Sequence, residues 1–360
     1  MKEIFMNSQQ TKSNQLHTNY TNISLVKLIM SLIIVVFHLR PFHNIYPNLD
    51  YFINSGLGRI CVPFFFFTSG YFIAQKEEIN PHYLLNYNKS NTKTYLIWSC
   101  IYLPLLISFC SDNYYLIESN VQSLFYTYNP PLIVYPLALI IIVFILILYS
   151  GVYYHLWFYP ALILSINIVS KWNKKYGLSH LMFLSFILLL FGATETYWGF
   201  LSPSVQSLLS NYYNVFFTTR NFLFFGLFYV CFGYTCYQKR HQLKVIVSLK
   251  HSLILSIILF LFDLILIKNS KRLNSNILLS VIPFTYYIFF VAMKSKPLLS
   301  HIDSKMISSY SKYIYLIHPF VIFLVKTVQF DGWYSIIVAY SICLLLTRTI
   351  VTFNHSYKYK

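Results

Sequence analysis

The chain has 360 residues, of which 57% are hydrophobic and only 10% are charged, and its formal net charge is +17. Soluble domains carry about 25% charged residues, so this composition excludes a water-soluble globular protein. The Lys and Arg residues occur in short clusters between apolar runs, which is typical of cytoplasmic membrane loops and argues against nucleic acid as a partner.

Apolar segments close to the roughly 20 residues that a membrane helix needs recur along the whole chain. They predict an all-α, polytopic membrane helix bundle with about ten transmembrane helices in one membrane domain, residues 21–353. Residues 1–20 and 354–360 are predicted to be cytoplasmic tails, the first without a cleaved signal peptide. The predicted spans are 23–40, 57–75, 94–111, 152–170, 178–194, 217–237, 247–267, 275–293, 307–327 and 333–352.

The positive charges orient these spans. Lys and Arg concentrate in the loops after even-numbered spans, whereas segments 41–56, 112–151 and 195–219 contain none, so both termini are predicted to be cytoplasmic. The remaining apolar run, 132–150, would invert every later loop if it were one complete crossing. We therefore expect it to be re-entrant, interfacial or paired with another partial crossing, with an ordinary eleventh span as the alternative.

The first span carries a polar stripe. Lys27 and His38 are eleven residues apart, so they lie on nearly the same helix face, roughly 16 Å apart along the axis, with Ser31 between them. Such a stripe should face the protein interior or a hydrated cavity rather than lipid. Histidine suits proton transfer near neutral pH, and a histidine satisfied at the headgroup boundary is the alternative.

Four further motifs place polar residues in or beside apolar segments. They are Arg59-Ile-Cys-Val-Pro63-Phe-Phe-Phe-Phe-Thr-Ser69-Gly70-Tyr71, His155-Leu-Trp157-Phe-Tyr-Pro160, Thr219-Arg220-Asn221 and Tyr313-Ile-Tyr315-Leu-Ile-His318-Pro319. Gly70 permits close helix approach, and Pro319 is expected to kink its helix and to release a backbone carbonyl that His318 could bond. Asp263 lies inside a predicted span, where a carboxylate should be paired or protonated.

In their order along the chain, the Lys27-x10-His38 pattern and these four motifs resemble the acyltransferase-3 family of bacterial membrane acyltransferases, over most of residues 20–330. The family usually has Arg at the position of Lys27. The membrane domain of membrane-bound serine racemases is also similar. The resemblance implies transfer of an acyl group, most simply acetyl, from cytoplasmic acyl-CoA to a hydroxyl of an envelope polysaccharide or related carbohydrate. It implies a bacterial cytoplasmic membrane location, with no permanently bound cofactor and no metal.

The resemblance also implies roles for individual residues. His38 would act as a general base or as a transient acyl carrier. The expected acceptor-binding residues are Arg59, His155, Arg220 and His318, and the expected acyl-CoA-binding residues are Lys27, Lys89 and Lys93. On the predicted topology His38, Arg59, His155 and Arg220 lie near the outer face of the membrane, and Glu195 is a weaker candidate there. A snorkelling or positive-inside role is the alternative for the lysines. A transporter or exporter without acyl transfer, or a noncatalytic partner of envelope-biosynthesis proteins, is an alternative function.

Overall fold

The computed structural model describes the backbone of residues 2–112, 149, 151–216, 218–241, 249–299 and 302–358. Every regular element in these ranges is helical, which confirms the all-α prediction. The predicted segment 132–150 lies, apart from Tyr149, outside the described residues.

Twelve α-helices occur in the described ranges. They are α1 (Lys2–Leu39), α2 (Pro47–Tyr51), α3 (Gly58–Ile79), α4 (Tyr83–Asp112), α5 (Phe158–Tyr176), α6 (Ser179–Ala193), α7 (Pro203–Phe216), α8 (Leu227–Gln238), α9 (Leu249–Lys268), α10 (Val281–Lys294), α11 (Ser304–Thr327) and α12 (Gly332–Lys358). Short π-helical turns, Phe52–Leu57 and Phe222–Gly226, lead into α3 and α8.

The described helices only partly match the predicted spans. Four stretches are long and apolar enough to cross a bilayer, and three apolar helices are shorter, so the predicted count of about ten spans is not confirmed. The four are Tyr20–Leu39, Pro47–Ile79, His251–Lys268 and Gly332–Phe353, and the shorter three are Ser179–Ala193, Phe222–Gln238 and Val281–Lys294.

The terminal helices extend beyond their apolar stretches. Helix α1 begins at Lys2 and α12 continues to Lys358, whereas their apolar stretches are Tyr20–Leu39 and Gly332–Phe353. That residues 1–20 and 354–360 are cytoplasmic tails stays a prediction. Helix α7 was not predicted at all, because its stretch between two spans is too polar to be one.

The helices form two compact units. The first unit contains Met1–Thr68, Ala193–Tyr212 and Lys239–Lys360, and the second contains Ser69–Gly192 and Tyr213–Gln238. Of the predicted site residues, the first unit holds Lys27, His38, Arg59 and His318, and the second holds Lys89, Lys93, His155 and Arg220.

In the first unit, α1 packs along α11 in parallel and in a fixed register. Ser31 Oγ lies 2.8 Å from Ser311 Oγ, and the ring centroids of His38 and His318 are 5.2 Å apart. Both pairs are separated by 280 positions (311 − 31 and 318 − 38), and only parallel helices keep that offset constant over two turns. This direction agrees with the assignment of both helices to odd-numbered spans.

In the second unit, α3 and α8 approach closely at Gly70. A Cβ atom at that position would lie 2.2 Å from the carbonyl oxygen of Val230, so only glycine leaves room for the partner backbone. Two helical turns beyond Gly70 on α3, the buried Glu77 carboxylate accepts hydrogen bonds from Ser170 Oγ at 2.7 Å and from Tyr234 Oη at 3.2 Å. These bonds join α3 to α5 and α8, and they satisfy a carboxylate that would otherwise be costly to bury.

Candidate active site

The two histidines at the α1–α11 contact form a stacked pair. His38 lies in the last turn of α1 and is half-buried, whereas His318 is fully buried within α11. Their ring planes differ by 20°, with 5.2 Å between centroids. The Phe37 ring meets His38 edge-on at 4.5 Å, and the serine pair lies two turns away along both helices. The predicted polar stripe of α1 therefore faces protein and not lipid at His38 and Ser31.

The His318 ring is fixed by its own helix. Pro319 has no backbone N–H, so it cannot donate the helical hydrogen bond to the carbonyl of Tyr315 four residues earlier. His318 Nδ1 lies 2.6 Å from that carbonyl oxygen. The bond that the sequence offered as the structural alternative for His318 is therefore present.

Arg59 is connected to this pair on one side and to a buried carboxylate on the other. Its guanidinium carbon lies 5.0 Å from the centroid of the Phe37 ring, which in turn contacts His38. Arg59 Nη1 donates to Asn276 Oδ1 at 3.3 Å, and Asn276 Nδ2 donates to Glu195 Oε2 at 2.7 Å. This chain of contacts was not predicted, because Asn276 and Glu195 lie 81 positions apart and no sequence motif joins them.

A second buried carboxylate, Asp50, is connected to Arg59 through Asn54. It accepts hydrogen bonds from Arg40 Nη2 at 2.6 Å and from Asn54 Nδ2 at 2.9 Å, and the Asn54 carbonyl accepts from Arg59 Nε at 2.9 Å. Arg40 follows α1 in a left-handed conformation with φ of +52°, a position that usually favours glycine. Sequence reasoning missed this cluster, although Asp50 is the one acidic residue in segment 41–56.

Asp263 in α9 is satisfied by hydroxyl groups. Tyr197 Oη donates to its carboxylate at 2.7 Å, and Ser280 Oγ donates at 2.7 Å. The backbone N–H of Ser280 adds a third donor at 3.3 Å. The carboxylate therefore joins α9 to the segments before α7 and α10, and of the two predicted states, paired or protonated, these donors fit the paired one.

In the second unit, Arg220 and His155 lie at neighbouring places but face different surroundings. Arg220 lines a cavity of about 290 Å³ together with Thr218 and a set of aromatic and small residues. The other described residues that line the cavity are Leu106, Gly151, Val152, Tyr153, Tyr154 and Trp157. His155 is 2% exposed and meets the Tyr102 ring edge-on at 4.8 Å, so it packs into the aromatic wall and is not among the cavity-lining residues.

The three predicted donor-binding lysines differ in exposure. Lys27 is half-buried on α1, four residues before Ser31, whose hydroxyl contacts the Lys27 carbonyl at 3.0 Å. Lys89 and Lys93 are exposed on α4, four residues apart and therefore on one helix face. Among the described residues, no group of three or more His, Cys, Asp or Glu side chains could hold a metal ion.

Comparison with known families matches residues 20–353 to acyltransferase-3, whose family description is an acyltransferase domain. The chain belongs to the acyltransferase-3 family. Two similar curated proteins are an amino-acid racemase of Enterococcus faecalis, 25% identical over 313 residues, and a serine/alanine racemase of Enterococcus gallinarum, 24% identical over 314 residues. The matches cover 85% and 82% of this chain but only 42% and 40% of the racemases, so the chain spans about two fifths of their length. No solved structure matches.

The first unit brings titratable and charged groups together. An imidazole near the end of α1 can accept a proton, and the Arg59 guanidinium, held by Asn276 and Asn54, contacts the Phe37 ring that meets this imidazole. The second unit places an arginine in a cavity lined by aromatic rings.

Proposed function

We propose that this chain transfers an acyl group, most simply acetyl, from acyl-CoA to a hydroxyl of an envelope polysaccharide or related carbohydrate in the bacterial cytoplasmic membrane. Membership of the acyltransferase-3 family supports the reaction class. The observation that carries the proposal is the stacked pair of His38 and His318, which holds an imidazole at the end of an apolar helix whose polar stripe faces protein.

In the proposed step, His38 accepts the proton of the acceptor hydroxyl while the hydroxyl oxygen attacks the thioester carbonyl. The new C–O bond forms, the C–S bond breaks, and the CoA thiolate takes up the proton from the imidazolium. If His38 instead carries the acyl group, its nitrogen first displaces CoA and the acceptor oxygen then displaces the imidazole, with the same overall balance. Positioned general-base catalysis contributes about 10²–10⁴ in rate.

The substrate sites are proposed from charge and cavity chemistry. Lys27, Lys89 and Lys93 bind the anionic acyl-CoA, since lysine ammonium groups serve as point-charge phosphate ligands. Arg220 and its cavity bind the carbohydrate acceptor, and His155 supports the aromatic wall of the cavity. Arg59 and His318 contribute to acceptor binding in the first unit. Partner proteins of envelope biosynthesis would deliver the acceptor.

The test is acyl transfer from radiolabelled acetyl-CoA to envelope glycan in membranes that contain the chain. We expect His38→Ala to lower transfer at least about 100-fold. His82→Ala is the matched control, because His82 is an exposed histidine outside the described site, and it should retain wild-type transfer. Full transfer by His38→Ala at wild-type protein abundance would contradict the catalytic role, and absent labelling in the wild type would contradict the reaction.

The donor lysines are tested with matched charge changes. Lys89→Gln with Lys93→Gln should raise the KM for acetyl-CoA, whereas Lys296→Gln, which removes an exposed lysine from another predicted cytoplasmic loop, should not. Equal effects of all three changes would favour a simple positive-inside flank.

A second candidate function is transport of a small polar solute. Proteins named serine/alanine racemase and amino-acid racemase match this chain over about two fifths of their length, so an amino acid is the solute to test. Uptake of labelled serine or alanine into proteoliposomes containing the purified chain, without glycan labelling, would favour transport over acyl transfer.

A further inference from the structure

The peptide carbonyl of Tyr315 receives its hydrogen bond from a side chain. In a continuous α-helix, the N–H of residue 319 would donate to this carbonyl, but residue 319 is a proline. A buried carbonyl without a hydrogen bond costs free energy, so a nearby hydrogen-bond donor that can reach it stabilises the helix. His318 Nδ1 is that donor, at 2.6 Å.

This bond assigns the proton of the His318 ring. A peptide carbonyl can only accept a hydrogen bond, so Nδ1 must carry the hydrogen. In the neutral ring, Nε2 then carries the lone pair. Proline at 319 therefore selects one of the two neutral tautomers of the preceding histidine, and it also fixes the direction of the ring, which is fully buried.

The fixed ring is one face of the His38 site. His38 stacks on it with 20° between the planes, and the Phe37 ring also meets His38, edge-on. The Ser31–Ser311 pair, seven residues earlier on both helices, holds the register that brings the two imidazoles together. The orientation of His38 thus depends on a ring whose own orientation depends on Pro319.

We propose that His318 and Pro319 act as a tautomer lock that positions His38. His318 is a positioning residue in this inference, since it acts through His38, and the inference rests on the proposed function for its catalytic consequence. The tautomer lock differs from a purely structural histidine in one expected result. Removing the proline should change the tautomer of an otherwise intact His318 and, through it, the orientation of the His38 ring.

The test combines histidine spectroscopy with kinetics on the full chain in nanodiscs. In ¹⁵N-histidine NMR, wild-type His318 should show a single tautomer with the hydrogen on Nδ1. Pro319→Ala restores a backbone N–H donor for the Tyr315 carbonyl, so His318 should become a mixture of tautomers and the His38 ring signals should shift. Pro104→Ala, which removes a proline from inside α4, is the matched control and should leave both signals unchanged.

Kinetics then separate the lock from a structural role. Pro319→Ala should lower kcat about 10-fold with an unchanged KM for acetyl-CoA, as expected for a misplaced base. His318→Asn keeps an amide donor at the position of Nδ1 but removes the ring that His38 stacks on, so it should lose at least as much. Wild-type kcat in His318→Asn would overturn the proposal, because the carbonyl bond alone would then suffice.

Failure of the inference and failure of the proposed function give different results. A single unchanged His318 tautomer and unchanged His38 signals in Pro319→Ala would overturn the lock whatever the activity. If the wild type transfers no acyl group, the proposed function fails. In that case the NMR spectra alone test the tautomer lock, and a shift of the His38 signals in Pro319→Ala supports it.

Discussion

Replacement of Gly70 by alanine tests the closest helix approach in the second unit. An ideal Cβ atom on Gly70 would lie 2.2 Å from the carbonyl oxygen of Val230, 2.9 Å from its carbonyl carbon and 3.0 Å from its Cα. All three are backbone atoms, so no change of rotamer can relieve the contact. The substitution therefore requires α3 and α8 to move apart.

The size of the effect follows from these distances. An ordinary carbon–oxygen contact is about 3.4 Å, so the Cβ–oxygen pair must gain about 1.2 Å (3.4 − 2.2). Overpacking of this kind costs about 1–3 kcal/mol, and we expect the upper end because two backbones must separate. Alanine returns up to about 1 kcal/mol of helix propensity, which leaves a net loss of about 2 kcal/mol. The entropy of unfolding scales with chain length, so a chain of 360 residues loses about 1–2 °C in Tm per kcal/mol, and Tm should fall by about 2–4 °C.

The assay is thermal unfolding of the purified chain in detergent, followed by tryptophan fluorescence and by size-exclusion chromatography after heating. Gly56→Ala is the matched control, since the atom nearest to its ideal Cβ is Leu264 Cδ1 at 2.8 Å, the end of a flexible side chain that can rotate away. It should shift Tm by less than Gly70→Ala. A Gly70→Ala protein with wild-type Tm would refute the close approach of α3 to Val230.

Three further experiments test other contacts. Asp263→Ala removes the acceptor of two hydroxyl groups and one amide, so Tm should fall by an amount equivalent to about 3 kcal/mol, and an unchanged Tm would contradict this hydrogen-bond network. Asn276→Ala breaks the link between Arg59 and Glu195 and should lower acyl-transfer kcat about 10-fold. It should also lower Tm, because it removes a buried donor from the Glu195 carboxylate, whereas unaltered kcat would remove Arg59 orientation from the mechanism. Ser31→Ala and Ser311→Ala should show a coupling energy of about 1 kcal/mol in a double-mutant cycle of unfolding, and additivity would mean that the two hydroxyls do not interact.

The sequence predicted features whose cause is local. The composition and the recurrent apolar runs led to the all-helical membrane architecture, and Pro319 led to the carbonyl bond of His318, because a proline always removes the same N–H. Gly70 was expected at a close helix contact, since the smallest residue allows the closest backbone approach. The eleven-residue spacing of Lys27 and His38 indicated a shared face, and Ser31 on that face is indeed buried against α11.

Contacts between distant segments could not be predicted in the same way. The hydrogen bonds from Arg59 to Asn276 and from Asn276 to Glu195 join residues 217 and 81 positions apart, and a single sequence contains no pattern that pairs them. Asp50 was missed for a related reason, since its segment is predicted to be a polar connection, where a carboxylate is ordinarily exposed to water. In the structure it is 4% exposed beneath Arg40.

The register of α1 on α11 explains why the two histidines need the serine pair as well as each other. A shift of one helix by one residue would rotate its side chains by about 100°, which would separate the two imidazoles and move Ser31 away from Ser311 together. The serine layer contains short side chains that let the backbones approach, and its hydrogen bonds exist only in the observed register. The histidine layer lies roughly 10.5 Å further along both helices and has the same register, with the two rings stacked at 5.2 Å. On both helices the histidine follows the serine by seven residues. One register therefore pairs the serines and the histidines together, which brings the two His residues into one site.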